Sequence, residues 1–373
     1  MAAQLPGPNE GPHPVAPGEA DRIIRNMAGV KHVLVVMSGK GGVGKSTVAA
    51  HLALGLALRG LRVGVVDADF HGPSIPKMLG ADREKLAYVE TASGPKIKPV
   101  FVPPNVEVIS IAYMLQTYDT PVVWRGPIKM KAIRQFLEDV AWGELDCLIF
   151  DLPPGTGDEP LSIAQVLPRA DGAVIVTTPQ EISTQAVRKS VRFAELLHLP
   201  VLGVVENMSG STCPHCGKPV DLFDPGGGER LAKDFGLPLL GRIPLLREVA
   251  DGCDRGRPVL LSGGPASKAF EEMVESVLSR VRAKPPPGPA PAEPEPRTPG
   301  AAVSPEAVAK CIEALKPAVK AEGGGLDLLG VQGDVVTLRL DFSGAPAARV
   351  ALLSSLEKTL KSRVPGVRAV VAA

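Results

Sequence analysis

The sequence predicts an α/β protein: a large domain with a doubly wound, mostly parallel sheet, followed by a second, small α+β domain. Short apolar runs alternate with longer amphipathic stretches from Lys31 onward, which is typical of βαβ units. Residues 285–305 then contain nine prolines, a composition that cannot bury enough apolar surface to fold. We therefore expect a disordered Pro-rich tail (1–19), a large domain (20–283), a linker (284–305) and a small domain (306–373).

The apolar runs and amphipathic stretches predict the elements of both domains. The first four runs are almost continuously apolar, as strands buried on both faces should be. The strands expected in the large domain are residues 33–37, 62–67, 106–111, 145–151, 173–177, 201–206 and 239–243. Amphipathic helices are expected at 46–59, 127–142 and 183–198. In the small domain we expect helices at 306–320 and 350–361, and strands at 326–329, 335–340 and 367–371.

Composition and charge exclude several classes of protein. Of the 373 residues, 45% are hydrophobic and 22% are charged, which is typical of chains that form a core. The formal net charge of +1 leaves no reserve for holding a phosphate backbone, so we expect no nucleic-acid partner. No apolar run approaches the roughly 18 to 20 residues of a membrane span, so we expect no membrane partner. Five cysteines do not suit a secreted disulfide framework, and we expect a cytoplasmic protein.

A phosphate-binding motif lies between the first predicted strand and the first predicted helix. It fits G-x-x-x-x-G-K-[ST] and reads Gly39-Lys40-Gly41-Gly42-Val43-Gly44-Lys45-Ser46-Thr47. The glycines allow backbone N–H groups to curl around phosphates, and the positive end of the helix adds to the attraction. We expect Lys45 to reach the β- and γ-phosphate oxygens and Ser46 to place its hydroxyl on Mg²⁺.

Two carboxylate motifs follow other predicted strands, at the carboxyl edge where an α/β sheet binds its ligands. They are Asp67-Ala68-Asp69 and Asp151-Leu152-Pro153-Pro154-Gly155-Thr156-Gly157-Asp158. Asp151 ends a hydrophobic run, so we assign to it the Walker B task of holding Mg²⁺, directly or through water. For Asp67 and Asp69 one alternative stays open, namely that either carboxylate only caps the following turn.

A pair of cysteines with metal-ligand spacing follows the strand expected at 201–206. The segment reads Cys213-Pro214-His215-Cys216-Gly217. A closed site needs four ligands, so one chain supplies only half of it. Two chains about a twofold axis would supply four thiolates, which suits either a [4Fe-4S] cluster or Zn²⁺. A thioredoxin-type redox pair is an alternative that the setting inside an NTPase domain disfavours.

The other three cysteines, and the histidine within the C-x-x-C segment, are not expected to bind metal. Cys147 lies in a predicted buried strand, and Cys311 lies on the face of a predicted helix. We expect Cys253 to be structural as well, with a role as accessory ligand as the alternative. His215, in the middle of the C-x-x-C turn, is expected to face solvent.

Lys40, a second lysine inside the phosphate loop, makes the loop resemble the deviant Walker A group of dimeric ATPases, K-G-G-x-G-K-[ST]. In that group the extra lysine crosses the dimer interface to the partner's nucleotide. The resemblance implies a MinD/ParA-like fold, ATP as the nucleotide and a homodimer. It also makes Asp69, in the first switch segment, the candidate that positions or activates the attacking water. The catalytic set implied is Lys40, Lys45, Asp69 and Asp151.

Residues 31–262 as a whole resemble the Mrp/ApbC family of P-loop ATPases, which carry iron–sulfur clusters to apoproteins. Besides the motifs above, the resemblance rests on Gly72-Pro73-Ser74-Ile75-Pro76, Thr178-Pro179-Gln180 and Glu206-Asn207-Met208-Ser209, the last leading into the cysteine pair. MinD and ParA relatives lack that pair. The resemblance implies that Asn207 contacts the adenine and that Cys213 and Cys216 hold a bridging [4Fe-4S] cluster. Cluster donors and apo iron–sulfur proteins are the partners it implies.

The C-terminal module resembles the C-terminal domain of NifU-type scaffolds. The matching segments are Leu315-Lys316-Pro317-Ala318, Glu322-Gly323-Gly324-Gly325, Leu338-Arg339-Leu340 and Val364-Pro365-Gly366-Val367. That domain normally carries its own C-x-x-C after the L-x-L strand, whereas residues 341–348 hold no cysteine. We expect a docking domain that the linker keeps near the ATPase, with a role in solubility or stability alone as the alternative.

Taken together, the motifs favour a slow ATPase that binds a [4Fe-4S] cluster at a dimer-bridging C-x-x-C and transfers it to apoproteins. Hydrolysis would be coupled to cluster loading or release. The alternative is an ATP-switched spatial regulator or scaffold of MinD/ParA type, whose cysteine pair binds structural zinc.

Overall fold

The computed structural model describes residues 18–91, 94–115, 124, 126–213, 216, 218–220, 223–224, 226–283, 304–321, 324–332, 335–342, 356, 359–360, 364, 367 and 369–372. The chain divides into two compact units, Met1–Pro287 and Gly288–Ala373. The predicted tail lies outside the described residues except for Gly18 and Glu19, and the predicted linker except for Ser304 and Pro305. Among the described residues, no helix combines the length and the apolar character that crossing a membrane requires.

Helices and strands alternate along the larger unit. Its strands are β1 (Val30–Ser38), β2 (Val63–Asp67), β3 (Ala87–Thr91), β4 (Gly94–Lys98), β5 (Val100–Val102), β6 (Val106–Ser110), β7 (Leu145–Asp151), β8 (Gly172–Thr177), β9 (Val201–Asn207), β10 (Ser211–Thr212), β11 (Pro219–Val220) and β12 (Leu239–Ile243). Its helices are α1 (Glu19–Asn26), α2 (Lys45–Ala57), α3 (Ile75–Met78), α4 (Gly126–Glu138), α5 (Asp158–Val166), α6 (Glu181–Leu196), α7 (Gly227–Asp234), α8 (Arg247–Asp254) and α9 (Pro265–Ala283). Short 3₁₀ turns occupy Ile111–Met114 and Val259–Leu261.

The main sheet has eight strands in the order β12-β9-β8-β1-β7-β2-β6-β5. Neighbouring strands run parallel, except that β5 is antiparallel to β6. Every strand predicted for the large domain lies in this sheet, whereas β5 and the hairpins β3–β4 and β10–β11 were not predicted. Because β1 is central and the strands beside it are parallel to it, their carboxyl ends meet at one edge, where such sheets bind ligands.

Helices cover both faces of the sheet, which confirms the doubly wound prediction. On one face, α2 and α9 contribute buried residues such as Leu52 and Phe270 to a continuous apolar core. On the other face, α4 and α6 contribute residues such as Phe136 and Val191 to a second core. The strands between them are buried on both sides, which explains their almost continuously apolar sequence.

The helix that follows the phosphate loop was predicted to be amphipathic, but it is buried on almost all sides. Of the 13 residues of α2, 11 are buried, because the helix lies between the sheet and α9. The two helices approach each other closely at Gly55, where a Cβ atom would lie 2.5 Å from Cγ2 of Val274. The helix was predicted correctly, but the expectation of a solvent-facing side was wrong.

The smaller unit combines one long helix with a three-stranded sheet. Its described elements are α10 (Pro305–Ala321), β13 (Gly324–Gln332), β14 (Val335–Phe342) and β15 (Ala369–Ala372). β14 is central, with β13 antiparallel and β15 parallel to it. The core includes Val308, Ile312, Val336, Leu338 and Leu340. Of the helix expected at 350–361, the structure describes only residues 356, 359 and 360, which are helical.

Candidate nucleotide site and cysteine hairpin

The phosphate loop connects β1 to α2 at the carboxyl edge of the sheet. Gly42 and Gly44 have φ angles of 79° and 80°, in the left-handed region that favours glycine. The first N–H groups of α2 have no partner within the helix and can bind an anion. A cavity of about 190 Å³ lies at this point. It is lined by Ser38, Lys40, Gly41, Gly42, Val43, Gly44, Lys45, Ser46, Thr47, Asp69, Ser74, Met78 and Pro154.

Neighbouring elements hold the phosphate loop tightly. A Cβ atom at Gly39 would lie 2.3 Å from the carbonyl carbon of Ala186 in α6, so glycine is required there by packing. The Asn207 side-chain amide donates a 2.8 Å hydrogen bond to the Val43 carbonyl. A Cβ atom at Gly44 would lie only 2.1 Å from Nδ2 of the same asparagine. Asn207 therefore supports the loop directly, while its contact with adenine stays a prediction.

Lys45 and Asp151 form a buried ion pair at the centre of the site. Lys45 Nζ lies 2.6 Å from Asp151 Oδ1, and the two side chains are 6% and 0% exposed. The ammonium also donates to the Ser46 hydroxyl at 3.2 Å. Burial raises the pKa of Asp151, and the charge of Lys45 with the nearby Ser46 hydroxyl opposes this shift. The ion pair holds both side chains in place beside the phosphate loop.

The oxygen atoms around Asp151 fit a magnesium ion. The second carboxylate oxygen, Oδ2, is buried and has no hydrogen-bond partner among the described residues. The half-buried Ser46 hydroxyl is on the loop that lines the cavity. Mg²⁺ prefers oxygen ligands and is usually held by one or two protein groups together with substrate phosphates. An unpartnered carboxylate oxygen and a hydroxyl at this point supply the protein groups that such an ion needs beside phosphate oxygens and water.

The carboxylates of Asp67 and Asp69 have different surroundings. Asp67 is fully buried, and its Oδ2 accepts from the backbone N–H groups of Ser74 and Ile75 at 3.0 and 3.2 Å and from the Ser110 hydroxyl at 3.1 Å. Asp67 therefore caps the turn that begins α3, as the open alternative supposed. Burial, reinforced by the neighbouring charge of Asp151, raises the pKa of Asp67 to about 7.

Asp69 lines the nucleotide cavity instead. Its Oδ1 accepts from the backbone N–H groups of His71 and Gly72, both at 3.3 Å, which fixes the turn and the carboxylate together. The side chain is half-buried and borders the same space as the phosphate loop. Its role toward an attacking water stays a prediction.

Lys40 also borders the cavity, and it is half-buried. Its backbone carbonyl accepts a 3.0 Å hydrogen bond from the Ser38 hydroxyl, which anchors the loop at the end of β1. Within the described part of the chain, no carboxylate lies within 4.0 Å of its ammonium group. The position of Lys40 is compatible with contact to a second subunit, which stays a prediction.

The two cysteines of the pair lie at the tip of a small hairpin. β10 pairs with β11 in antiparallel register, Ser211 opposite Val220, and the Cys213 N–H donates to the Lys218 carbonyl at 2.9 Å. Cys213 is half-buried and Cys216 is exposed. Pro214, His215 and Gly217 lie outside the described residues. Among the residues that are described, no three His, Cys, Asp or Glu side chains are grouped to hold a metal.

The other cysteines are buried. Cys147 is in β7, and burial raises the pKa of its thiol, which favours an uncharged structural group. Cys253 is in α8, where burial raises its pKa and a hydrogen bond with the Thr47 side chain acts in the opposite direction. Cys311 is in the core of the smaller unit. The predicted cysteine-free stretch at 341–348 is described only at Asp341 and Phe342, which end β14.

Sequence reasoning missed a charged cluster beside the site. Lys129 in α4 is only 5% exposed, and its ammonium contacts Glu159 in the first turn of α5. It also lies 2.7 Å from Nε2 of His71, in the turn formed around Asp69. The cluster joins the Asp69 turn to α5. No sequence signal marks it, because the three residues come from segments that are far apart in the chain.

A second missed residue is Glu206, at the end of β9. Its carboxylate is fully buried and accepts hydrogen bonds from the Ser209 hydroxyl and from the backbone of Gly226 and Gly228. The sequence contains a signal for it, because a charged residue stands inside an otherwise apolar strand.

Comparison with known proteins places the chain in a family. Residues 29–278 match the model of the ParA group described as NUBPL iron-transfer P-loop NTPase. The chain belongs to this family. Residues 308–371 match the NifU-like domain. The predicted family resemblance and the predicted NifU-like module are thereby confirmed.

Relatives and solved structures agree with this family. The chain is 49% identical over 264 residues to the iron-sulfur cluster carrier protein of Methanocaldococcus jannaschii, covering 70% of the chain and 89% of the relative. It is 44% identical to the cytosolic Fe-S cluster assembly factor NUBP2 homolog of Monosiga brevicollis, covering 71% and 94%. A nucleotide-binding protein of Archaeoglobus fulgidus in complex with ADP superposes with a TM-score of 0.58 at 39% identity, over 67% of this chain and 96% of that one. The Pyrococcus furiosus cell division ATPase MinD, with a TM-score of 0.51 at 24% identity and coverage of 67% and 99%, shares the fold.

Proposed function

We propose that this protein is an ATP-binding and ATP-hydrolysing carrier that holds a [4Fe-4S] cluster between two subunits and transfers it to apoproteins. The observation that carries the proposal is the exposed cysteine hairpin on an NTPase domain with a complete phosphate site. Relatives of 49% and 44% identity carry the names iron-sulfur cluster carrier protein and Fe-S cluster assembly factor, which supports the same role here.

The nucleotide part of the proposal assigns one task to each residue of the cavity. The glycine-rich loop and the N-terminus of α2 bind the phosphates through backbone N–H groups. Lys45 neutralises charge on the β- and γ-phosphates, and Lys40 does so from the partner's loop. Ser46 and Asp151 hold Mg²⁺, which, when bound, spreads the charge that develops on the transferred phosphoryl group.

In this scheme, Asp69 orients the water that attacks the γ-phosphorus. The bond between phosphorus and the β–γ bridging oxygen breaks, and ADP and phosphate leave, with the proton of the water passing to the carboxylate or to solvent. Asp67 does not contact the water, because its carboxylate is fully buried and caps α3. It keeps the Asp69 segment in position.

The cluster is cargo, and the cysteine hairpin is its holder. One chain presents two thiols at the hairpin, while a [4Fe-4S] cluster takes four. Two hairpins brought together by a twofold axis complete the set, so the cluster and the homodimer are proposed together. Because Cys216 is exposed on the single chain, the hairpin is open to a donor and to an apo acceptor. A cytoplasmic location, without nucleic-acid or membrane partners, belongs to the same proposal.

The C-terminal NifU-like module is assigned to docking. Its single cysteine, Cys311, is buried in the core of that unit and cannot close a site alone. A Pro-rich linker over residues 284–305 would keep the module tethered to the ATPase and raise the local concentration of whichever client or donor it binds.

Anaerobic reconstitution with iron and sulfide tests the proposal. We expect a broad absorption at roughly 400 nm and about four irons per dimer, both lost in the Cys213→Ser/Cys216→Ser double variant. Cys147→Ala, which removes a buried thiol away from the hairpin, is the matched control and should keep the iron. A colourless protein with about one zinc per dimer would replace the carrier by an ATP-switched scaffold with a structural zinc site.

A further inference from the structure

The end of β9 carries a buried carboxylate that ties together the two ends of the cysteine segment. Glu206 Oε1 accepts from the Ser209 hydroxyl at 2.5 Å, before the hairpin, and from the Gly226 N–H at 3.1 Å, after it. Its Oε2 accepts from the N–H of Gly228, in the first turn of α7. The segment between Ser209 and Gly226 contains both hairpin strands and both cysteines. One side chain therefore closes the base of the cysteine segment.

The packing around Glu206 leaves little room for this contact to slip. A Cβ atom at Gly228 would lie 2.9 Å from Cβ of Glu206, and a Cβ atom at Gly227 would lie 2.0 Å from the Pro179 carbonyl oxygen. The beginning of α7 is thus pressed against the end of β9. A carboxylate that accepts from N–H groups at a helix N-terminus is favourably placed. We call Glu206 with its three donors, Ser209, Gly226 and Gly228, the clamp. On the side where the chain returns from the hairpin, tight packing of α7 against β9 holds this clamp in place.

The chain that leads from β9 into the hairpin is held by hydrogen bonds as well. The Ser209 N–H donates to the Ile243 carbonyl at 2.9 Å, and the Leu245 N–H donates to the Gly210 carbonyl at 2.8 Å. The Ser211 hydroxyl donates to the Leu245 carbonyl at 2.8 Å. The hairpin therefore stands on the end of β9 and on the chain that follows β12, and a movement of this base would carry the cysteines with it.

The residue after Glu206 holds the phosphate loop. Asn207 donates to the Val43 carbonyl at 2.8 Å and packs against Gly44. Neighbouring residues of a strand point to opposite faces, so one strand end supports the phosphate loop with one side chain and the hairpin base with the next. Met208 follows with a φ of 57°, a left-handed conformation that is strained for a non-glycine residue. Such a backbone persists only where its surroundings fix it.

We propose that Glu206 is a positioning residue that couples the nucleotide site to the cysteine pair. The inference rests on the proposed function and names the path between its two sites. A nucleotide that shifts the phosphate loop shifts the Val43 carbonyl and with it Asn207. Glu206 passes this shift to both ends of the cysteine segment, so the accessibility of Cys213 and Cys216 depends on the nucleotide.

The test measures the cysteines directly and needs no cluster. In the full-length apoprotein under reducing conditions, the rates at which iodoacetamide alkylates Cys213 and Cys216 are followed by peptide mass spectrometry, with and without Mg-ATP. For the natural sequence, we expect Mg-ATP to change the rates about fivefold or more, the usual size of coupling between two sites. The ratio is defined for each cysteine as its alkylation rate with Mg-ATP divided by its rate without. In Glu206→Gln, whose amide nitrogen cannot accept an N–H donor, this ratio should be about one.

Two further variants keep the test decisive. Ser209→Ala removes one hydrogen bond of the clamp and should lower the ratio part of the way, which covers the case that Glu206→Gln does not fold. Glu272→Gln makes the same chemical change at an exposed position of α9 and should keep the full ratio. Glu229 is unsuitable as a control, because its partner Arg242 also lies 3.9 Å from Glu206 Oε1. A purely structural role would alter the rates with and without Mg-ATP equally and leave the ratio intact.

The outcomes separate this inference from the proposed function. A natural-sequence ratio of about one, or a full ratio in Glu206→Gln or Ser209→Ala, overturns the coupling even if the reconstituted protein holds iron, because coupled sites must show a ratio different from one. A chain that binds zinc but shows the ratio and its loss in Glu206→Gln retains the coupling and ends the carrier proposal.

Discussion

At the scale of single residues, the nucleotide site is organised around charges that are buried together. Lys45 and Asp151 form an ion pair that is almost completely shielded from water. Two buried charges lose their hydration, so such a pair adds little net stability, but removing one partner leaves the other uncompensated. The pair therefore serves to hold the lysine and the carboxylate in place until phosphate and Mg²⁺ bind, and not to stabilise the fold.

The first residue-scale prediction concerns Lys45. Lys45→Ala should abolish ATP turnover, because no other side chain of the same loop neutralises the β- and γ-phosphates from within the chain. The reconstituted cluster should remain, since the cysteine hairpin does not use this lysine. Phosphate release and iron content, measured on the same sample, check both statements. Lys189→Ala, at an exposed position of α6, is the control. Turnover at the natural rate in Lys45→Ala would contradict the assignment.

The second residue-scale prediction concerns the pH dependence of stability without nucleotide. The pKa of Asp67 is raised to about 7 by burial, above its ordinary value of 3.8. Between these values, the native state binds a proton that the unfolded state has lost, so this group stabilises the fold as the pH falls from 7 toward 4. Asp67→Asn removes this effect. The melting temperature of the natural sequence minus that of Asp67→Asn should therefore be larger at pH 5 than at pH 7.5, and an equal difference at both would contradict the prediction.

Sequence and structure agree best where a motif is contiguous. The phosphate loop could be located residue by residue because its chemistry is local: glycines for the turn, then a lysine and a hydroxyl. The resemblance selected Asp69 for the attacking water, but whether Asp67 or Asp69 caps the following turn stayed open, because this depends on whether Ser74, Ile75 and Ser110 donate to one of them. Lys129 was missed because its partners are distant in the sequence, whereas Glu206 could have been found as a charged residue in an otherwise apolar strand.

At the scale of elements, the phosphate loop provides a matched pair of glycines. Gly42 and Gly44 have nearly the same φ, but a Cβ atom at Gly42 meets nothing within 4 Å, whereas one at Gly44 lies 2.1 Å from Asn207. Gly42→Ala should cost only the backbone strain, about 1–2 kcal/mol. Gly44→Ala should cost more and abolish nucleotide binding, because it also displaces Asn207. Unfolding free energies and ADP titrations check this, and equal effects of the two substitutions would be the contrary result.

At the contact between α2 and α9, packing and helix propensity predict opposite effects of Gly55→Ala on the free energy of unfolding. Helix propensity alone would make Gly55→Ala stabilising by about 1 kcal/mol. The close approach of Val274 makes it destabilising, since overpacking a core costs about 1–3 kcal/mol. Adding Val274→Ala should recover part of the loss. Chemical denaturation of the two single variants and the double variant measures the coupling, and a stabilised Gly55→Ala protein would contradict the packing argument.

Elements were predicted where burial on both faces or a long helix left a strong pattern. The seven predicted strands all lie in the main sheet, because parallel strands between two helical layers must be apolar throughout. The hairpin β10–β11 escaped prediction because its strands have two residues each, too short for any periodicity. The burial of α2 on every side could not be foreseen, since it depends on α9, which is contributed by a distant part of the chain.

At the scale of the whole molecule, the two units can be assigned separate tasks. The relative in complex with ADP is covered over 96% of its length by 67% of this chain, so the nucleotide-binding unit corresponds to an almost complete protein elsewhere. Deleting residues 284–373 should therefore leave ATP turnover and cluster content within about twofold, and slow cluster delivery to an acceptor that the C-terminal module binds, because the tether no longer raises its local concentration. Delivery kinetics with the same acceptor check this, and an unchanged rate would argue for a role in stability alone.

The central claim is that two copies of this chain share one cluster through their cysteine hairpins. Native mass spectrometry of the reconstituted full-length protein tests it most directly, because it counts chains and cluster in one particle. We expect the mass of two chains plus one [4Fe-4S] cluster, and a loss of the cluster in Cys216→Ser. A cluster on a single chain, or two chains carrying one zinc ion and no iron, would contradict the claim.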